Sequence, residues 1–171
     1  TSFTVAAYLQ VVRGYDAIET GVIFTAETAG LLAASLAAER FAKRRAQRTL
    51  ILAGFLVVIG GTTVLLALVS GTPNVWAFAP GLLLIGLGLG VMLTPSVNIV
   101  QSAFGEHQQG EISGLSRSVS NLGSSLGAAI AGTVLVAGIT STPERSYALA
   151  MVVLALVGLV GAALGVVAGV P

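Results

Sequence analysis

One carboxylate, Glu27, lies in the middle of the otherwise uncharged stretch GVIFTAETAGLL, residues 21–32. An acidic side chain among apolar residues is a candidate for binding a proton or a cation, because burying it without a function is costly. Three readings stay open: proton coupling or cation binding, structural burial with a hydrogen bond to a neighbouring helix, or a residue without a role. The choice depends on the elements that surround Glu27.

Two other stretches carry polar and small residues at steps of three or four, the spacing of neighbours on one helix face. The first stripe consists of Gly86, Gly90, Thr94, Asn98 and Gln101. The second stripe consists of Ser113, Arg117, Asn121, Ser124 and Ala128. Both stretches also have glycines four residues apart, Gly86/Gly90 and Gly123/Gly127, which predicts close helix contacts. The polar members either face a cavity or serve plain helix packing.

Several kinds of chemistry are excluded by the residues present. The sequence has no cysteine and one histidine, His107, so neither a thiolate nor a histidine metal cluster is expected. The GLGLG run at residues 86–90 lacks the GxGxxG spacing and the preceding strand of a dinucleotide site. No nucleophile–base pair or Walker motif occurs. We therefore expect no enzyme, no cofactor and no metal.

The composition identifies lipid as the solvent of this chain. Of 171 residues, 55% are hydrophobic and 9% are charged, whereas soluble domains average about 25% charged residues. Three stretches, 49–105, 118–143 and 146–171, contain no charge at all. A spanning helix needs about 20 apolar residues, so each stretch can hold a span. The sequence predicts an all-α, polytopic membrane protein.

The apolar pattern predicts a six-helix bundle with a partial first helix. Residues 1–12 are too few to span a bilayer, and we interpret them as part of a helix in a larger membrane protein, of which this chain is a fragment. Five full spans are expected at 17–38, 49–70, 75–103, 113–139 and 147–170. Glu27 follows Ala17 by ten residues, about 15 Å along the helix axis, which is near the bilayer midplane.

The basic residues predict the orientation of these spans. The segment ERFAKRRAQR, residues 39–48, holds five of the eight lysines and arginines and is therefore expected in the cytoplasm. Alternation then places residues 13–16, 70–74 and 140–146 outside, and 104–112 and the C-terminus inside. Because the basic residues serve topology, the net charge of +1 does not indicate nucleic-acid binding.

Three stretches resemble the C-terminal half of major facilitator superfamily transporters, and among these the bacterial 14-helix drug:proton antiporters. YLQVVRGYDAIETG, residues 8–21, is similar to that group's YLQxVxGxSxxxAG signature, with Asp16 and Thr20 in place of its Ser and Ala. GEISGLSRSVSNLGSSLGAAIAGTVL, residues 110–135, resembles the fifth helix of the half without a gap. Together the resemblances cover nearly the whole chain.

The third stretch, SLAAERFAKRR at residues 35–45, resembles a degenerate copy of the superfamily's GxLaDrxGrk loop. Glu39 stands for the Asp, Arg40 for the Arg, and Lys43 and Arg44 for the basic pair, while Ser35 and Ala42 replace the glycines. The resemblance implies a cytoplasmic gating loop that stabilises one transport state. A positive-inside anchor is the alternative.

The resemblance also implies that the first, second, fourth and fifth helices surround a central cavity, while the third and sixth face lipid. The proton-coupling or substrate-cavity candidates are then Glu27, Gln10, Thr94, Asn98, Gln101, Arg117 and Asn121. The implied protein exports drug-like amphipathic or cationic compounds in exchange for protons, by alternating access between this half and an N-terminal half. It would lie in the bacterial cell membrane. A transporter of sugar, organic acid or peptide with the same fold, or a non-transporting scaffold subunit, remains an alternative.

Overall fold

The computed structural model describes residues 1–42, 47–69, 74–137 and 143–167. All regular secondary structure in the described part is helical, as the sequence predicts. The elements in chain order are α1 (Ser2–Ala7), which continues into a π-helical turn (Tyr8–Val12), α2 (Ala17–Ala42), α3 (Gln47–Val69), a 3₁₀ turn (Val75–Phe78), α4 (Ala79–Ser102), a second 3₁₀ turn (Glu106–Gln108), α5 (Gln109–Ala137) and α6 (Pro143–Val167).

Five of the described helices are long and apolar enough to cross a membrane. Their candidate spans are Ala17–Ala38, Thr49–Leu68, Val75–Ser102, Gln109–Val136 and Arg145–Ala163. The apolar helix Ser2–Val12 is too short to do so. The all-α, polytopic membrane class is thereby confirmed.

Two helices begin earlier than the sequence predicts. The helix α5 begins at Gln109 rather than Ser113, and α6 begins at Pro143 rather than Tyr147. Proline is accepted in the first turn of a helix, where its missing N–H has no partner to lose, so Pro143 starts a helix instead of a turn. In α5, Glu111 lies in the first turn, where a negative charge is stabilised by the helix dipole.

The helix α4 packs against α2 through glycines at which the two backbones touch. A Cβ atom built on Gly30 of α2 would lie 2.5 Å from the carbonyl oxygen of Leu83 in α4. From the other side, a Cβ on Gly90 would lie 2.6 Å from the carbonyl oxygen of Leu31. Small residues spaced in this way let helices approach closely in lipid, so the close helix contact predicted for Gly86 and Gly90 is correct. The face of α4 that carries these two glycines packs against α2 and does not border a cavity.

A second set of glycines joins α4 to α3. A Cβ on Gly88 would lie 2.6 Å from the carbonyl oxygen of Gly54, and one on Gly61 would lie 2.8 Å from that of Gly81. The run of residues 86–90 therefore alternates between partners, with Gly86 and Gly90 on α2 and Gly88 on α3. These contacts make α2, α3 and α4 one closely packed block.

The helix α5 is attached less closely than the others. Its described contacts are mainly with α6, and it is largely exposed along its length. A Cβ on Gly123 or Gly127 would meet no atom within 4 Å. The close contact predicted for this glycine pair is therefore not made within the described part of the chain.

An aromatic cluster forms the core at the end of the bundle where α1 turns into α2. Tyr8, in the π-helical turn, is fully buried; its ring centroid lies 5.3 Å from that of Tyr147 in α6 and 6.0 Å from that of Phe78. Arg13 donates from Nε to the Tyr8 hydroxyl oxygen over 2.9 Å. The chain then turns at Gly14, whose φ of 71° is a left-handed conformation that favours glycine.

A capping box starts α2 directly after this turn. The backbone N–H of Glu19 donates to Asp16 Oδ1 over 2.6 Å, and the N–H of Asp16 donates to Glu19 Oε2 over 3.2 Å. Each side chain thus satisfies a backbone donor that the helix end leaves free. Asp16 stands where the signature has Ser, and it can cap the helix in the same way, since Asp and Ser are both preferred N-caps.

Replacing Asp16 by Ala should lower the free energy of unfolding by about 1 kcal/mol, because a backbone donor of the first turn loses its acceptor. Asp16→Ser should change it by only a few tenths of that amount. Chemical unfolding of the purified protein in detergent measures both variants. Equal losses for Ala and Ser would show that the box does not stabilise the helix start.

Candidate functional site

Glu27 is half-buried where α1, α2 and α4 meet. The hydroxyl of Ser2 in α1 donates to Glu27 Oε1 over 2.7 Å. The backbone carbonyl of Glu27 lies against Gly86 of α4, at a distance that leaves no room for a Cβ atom there. The carboxylate is thus held by one short hydrogen bond between helices, on a stretch of α2 that α4 fixes in place.

The hydrogen bond of Glu27 is not made by the polar residues nearest to it in the sequence or by the asparagines of α4 and α5. The hydroxyl of Thr28, the next residue in α2, donates to the carbonyl oxygen of Phe24 over 3.3 Å. The side chains of Asn98 and Asn121 make no bond to Glu27. The hydrogen-bond partner is Ser2.

A simple signal could have found Ser2. Ser2 precedes Arg13 by eleven residues, and Glu27 follows Asp16 by eleven, so the two are equally far from the tight turn at residues 13–16. In a helical hairpin, residues at equal distance from the turn lie at the same depth. This relation between distance from the turn and depth holds for α1 and α2 even though α1 is too short to span the membrane.

Gln10 lies in the π-helical turn of α1 with its side chain exposed. Phe3 and Val11 share this open side of α1, with exposed fractions of 59% and 76%. Single π-helical turns are frequent at functional sites. Gln10 is therefore available to a ligand or to a further part of the protein, but it does not contact Glu27.

Three other candidates stand apart from Glu27. Thr94 is half-buried, and Asn98 and Asn121 are exposed. Within the described part of the chain, none of the three side chains makes a hydrogen bond. They remain predicted cavity residues on surfaces that the described helices leave uncovered.

Gln101 and Arg117 are brought together in a groove between α4 and α5. Both line a cavity of about 270 Å³ near the end of α4. This pairing was not foreseen from the sequence, because it depends on how α5 is rotated against α4.

The predicted gating loop falls mostly outside what the structure describes. Glu39 and Arg40 belong to the last turns of α2, but their side chains are outside the described part. Lys43 and Arg44 lie outside the described residues altogether. Their gating role stays a prediction. Elsewhere, over the described ranges, no three acidic, histidine or cysteine side chains come together.

Comparison with known proteins gives matches along nearly the whole chain. A family model described as the Major Facilitator Superfamily matches residues 1–170. The puromycin resistance protein pur8 of Streptomyces alboniger is 33% identical over 130 residues, which cover 74% of this chain and 26% of that protein. The multidrug resistance protein Stp of Mycobacterium tuberculosis is 30% identical over 137 residues, which cover 80% of this chain and 25% of that protein. The chain thus spans about a quarter of the length of these curated relatives.

Proposed function

The chain belongs to the major facilitator superfamily, a family of membrane transporters, and from this premise we propose that it is the C-terminal six-helix half of a proton-coupled drug exporter. The family membership confirms the resemblance noted in the sequence, and it agrees with the expectation that the chain is not an enzyme. Proton coupling, the cargo and alternating access belong to the proposal.

The proposed cargo is a drug-like amphipathic or cationic compound. The names of two relatives, a puromycin resistance protein and a multidrug resistance protein, support drug efflux as the activity of the complete protein. In this mechanism the six-helix half and an N-terminal half rock around a site at the bilayer midplane. The bilayer, the N-terminal half, the cargo and protons are the proposed partners.

The proposed location is the bacterial cell membrane, with residues 39–48 and the C-terminus in the cytoplasm. The chain is a multi-pass membrane protein with bacterial relatives. The orientation rests on the five basic residues of the 39–48 segment, since short cytoplasmic loops carry an excess of Lys and Arg.

Glu27 is the proposed proton-coupling residue, and the proposal rests chiefly on its contact with Ser2. The Ser2 hydroxyl donates to Glu27 Oε1 over 2.7 Å, and a hydrogen bond to a charged carboxylate is stronger than one to a neutral carboxyl group, so proton uptake by Glu27 would weaken this bond. The bond joins α1 to α2, two of the helices that the family resemblance assigns to the cavity. A proton can therefore change how these two helices are held together.

Glu27→Gln in the complete transporter tests this role. We expect efflux driven by a proton gradient to fall at least about tenfold, because the amide keeps the shape of the side chain but cannot exchange a proton. The measurement is drug efflux from proteoliposomes with and without an imposed pH gradient. Glu27→Asp should retain part of the gradient dependence.

Glu19→Gln is the matched control, since Glu19 is a carboxylate of the same helix that caps its first turn. It should leave the gradient dependence unchanged. If Glu27→Gln kept the efflux and the pH dependence of wild type, the coupling role of this residue would be refuted. The measured efflux would still support the proposal that the complete protein is a drug exporter.

A further inference from the structure

The helix α4 has a proline, Pro95, in its interior. Proline has no N–H, so the carbonyl of Val91 lacks the donor that a helix supplies four residues later, and the proline ring crowds the same carbonyl. At the next residue, the Ser96 hydroxyl donates to the carbonyl oxygen of Met92 over 2.6 Å. A serine that bonds back to this carbonyl competes with its own backbone N–H and often bends the helix. The helix is therefore weakened at two successive carbonyls.

Before Pro95, α4 is fixed by close contacts with two helices. All its glycines lie in this part, at positions 81, 86, 88 and 90, and none follows. A Cβ on Gly90 would lie 2.6 Å from the carbonyl oxygen of Leu31 in α2, and one on Gly54 of α3 would lie 2.6 Å from the Cβ of Met92. Among the described residues, the contacts made at glycines reach along α4 as far as Met92. The weak point of α4 thus follows directly on its fixed part.

After Pro95, one side of α4 borders the groove towards α5. Val97 and Gln101 line this groove, which has a volume of about 270 Å³, and Val97 is 44% exposed. The family resemblance assigns both helices to the central cavity, which must change in width when access alternates. This side of α4 therefore faces a space that opens and closes in the proposed transport cycle.

We propose that Pro95 is a hinge and that residues 96–102, here named the α4 arm, swing about it to widen and narrow the groove. The arm has seven residues and is about 10 Å long. Helices kink sharply, by more than about 20°, at prolines, and a change of about 20° in the bend displaces the end of the arm by about 4 Å. Asn98 and Gln101, two predicted cavity residues, move with the arm. The hinge is a moving part of the transport cycle proposed above and rests on that proposal for its purpose.

Distances between spin labels in the complete protein, reconstituted in nanodiscs, test the hinge. The labels are attached through Ser102→Cys, at the end of the arm, and Ala163→Cys in α6; both positions are exposed, and this chain has no cysteine of its own. Ala163 is a fixed reference, because a Cβ on Gly161, two residues earlier, would lie 3.5 Å from the ring of Phe55 in α3.

In the protein with Pro95, the distribution of distances between residues 102 and 163 should be wider by about 4 Å than in Pro95→Ala. Alanine supplies the missing N–H and favours a straight helix. With the first label moved to Val97, three residues closer to the beginning of the arm than Val100, the difference should fall to about 1 Å, because the displacement grows with distance from the hinge.

Pro80→Ala is the matched control. Pro80 lies in the first turn of α4, where a proline removes no helical bond, so this variant should leave the distribution between residues 102 and 163 unchanged. A second label pair, Leu83→Cys in the fixed part of α4 and Leu149→Cys in α6, should give the same distribution with and without Pro95.

Equal widths between residues 102 and 163 in the protein with Pro95 and in Pro95→Ala would overturn the hinge. Equal narrowing of the pair 83 and 149 would also overturn it, because the whole of α4 would then move. The distances are recorded without a drug or a pH gradient, so a failed efflux assay would count against the transporter and not against the hinge. If Pro95→Ala is not recovered folded, Ser96→Ala decides, with a narrower distribution expected and an unchanged one overturning the proposal.

Discussion

Gly86→Val is expected to prevent the chain from folding to a stable monomer, and Gly86→Ala is expected to destabilise it severely. Gly86 is buried in α4, and a Cβ atom there would overlap the carbonyl oxygen of Glu27 and lie 2.9 Å from the backbone nitrogen of Leu31. That carbonyl and that nitrogen are four residues apart in α2, the spacing of a helical hydrogen bond. The added atom would therefore be forced against a regular helical turn.

No side-chain movement can relieve this overlap, because both contacting atoms belong to the backbone of α2. The helices must separate, which also opens the neighbouring contacts at Gly30 and Gly90. Overpacking in a core costs about 1–3 kcal/mol and occasionally more, and a clash between two backbones belongs at the upper end of that range. Gly86→Ala should thus lower the free energy of unfolding by about 3 kcal/mol.

Thermal unfolding in detergent and the monomer fraction on size exclusion measure these effects. Gly123→Ala is the matched control, a glycine-to-alanine change in a helix where the Cβ meets no atom within 4 Å. It should leave stability unchanged or raise it by up to about 1 kcal/mol, the helix propensity that alanine gains over glycine. Wild-type stability in Gly86→Ala would show that α2 and α4 are not in backbone contact.

Tyr8→Ala is the second large expected effect, a loss of about 3–5 kcal/mol in the free energy of unfolding. The ring of Tyr8 is fully buried and fills the space between Tyr147 and Phe78, so its removal leaves a cavity between the start of the chain, the 3₁₀ turn before α4, and α6. The Arg13 guanidinium, whose carbon lies 5.6 Å from the ring centroid, would also lose the aromatic face beneath it.

The variant Tyr8→Phe distinguishes the contribution of the hydroxyl group to stability from that of the ring. It keeps the packing and removes the oxygen that accepts from Arg13 Nε, so we expect a loss of about 1 kcal/mol. Phe3→Ala controls for aromatic truncation on the same helix, because Phe3 is mostly exposed and its loss creates no cavity. Denaturant titration in detergent ranks the three variants. A loss for Tyr8→Ala no larger than that for Phe3→Ala would contradict the cluster's role in the core.

The starts of α5 and α6 show where local patterns mislead. Pro143 and the residues around it have the composition of a turn, yet a proline in the first helical position costs nothing. In the same way, the polar residues before Ser113 suggested a loop, although Glu111 suits the first turn of a helix. Composition marks an interruption between spans, but the capping of each helix decides the residue at which it begins.

The sequence by itself determined the class, the family and the number of spans. Hydropathy depends on each residue's own transfer from water to lipid, and a signature motif depends only on residues that are neighbours in the chain. It also predicted the glycine-lined face of α4. Only the tertiary structure decided which helix that face meets, that Glu27 bonds to Ser2, and that Gln101 joins Arg117 in a groove. Those pairings depend on the rotation of each helix about its axis, which is fixed by backbone contacts between helices and not by the order of polar and apolar residues along one helix.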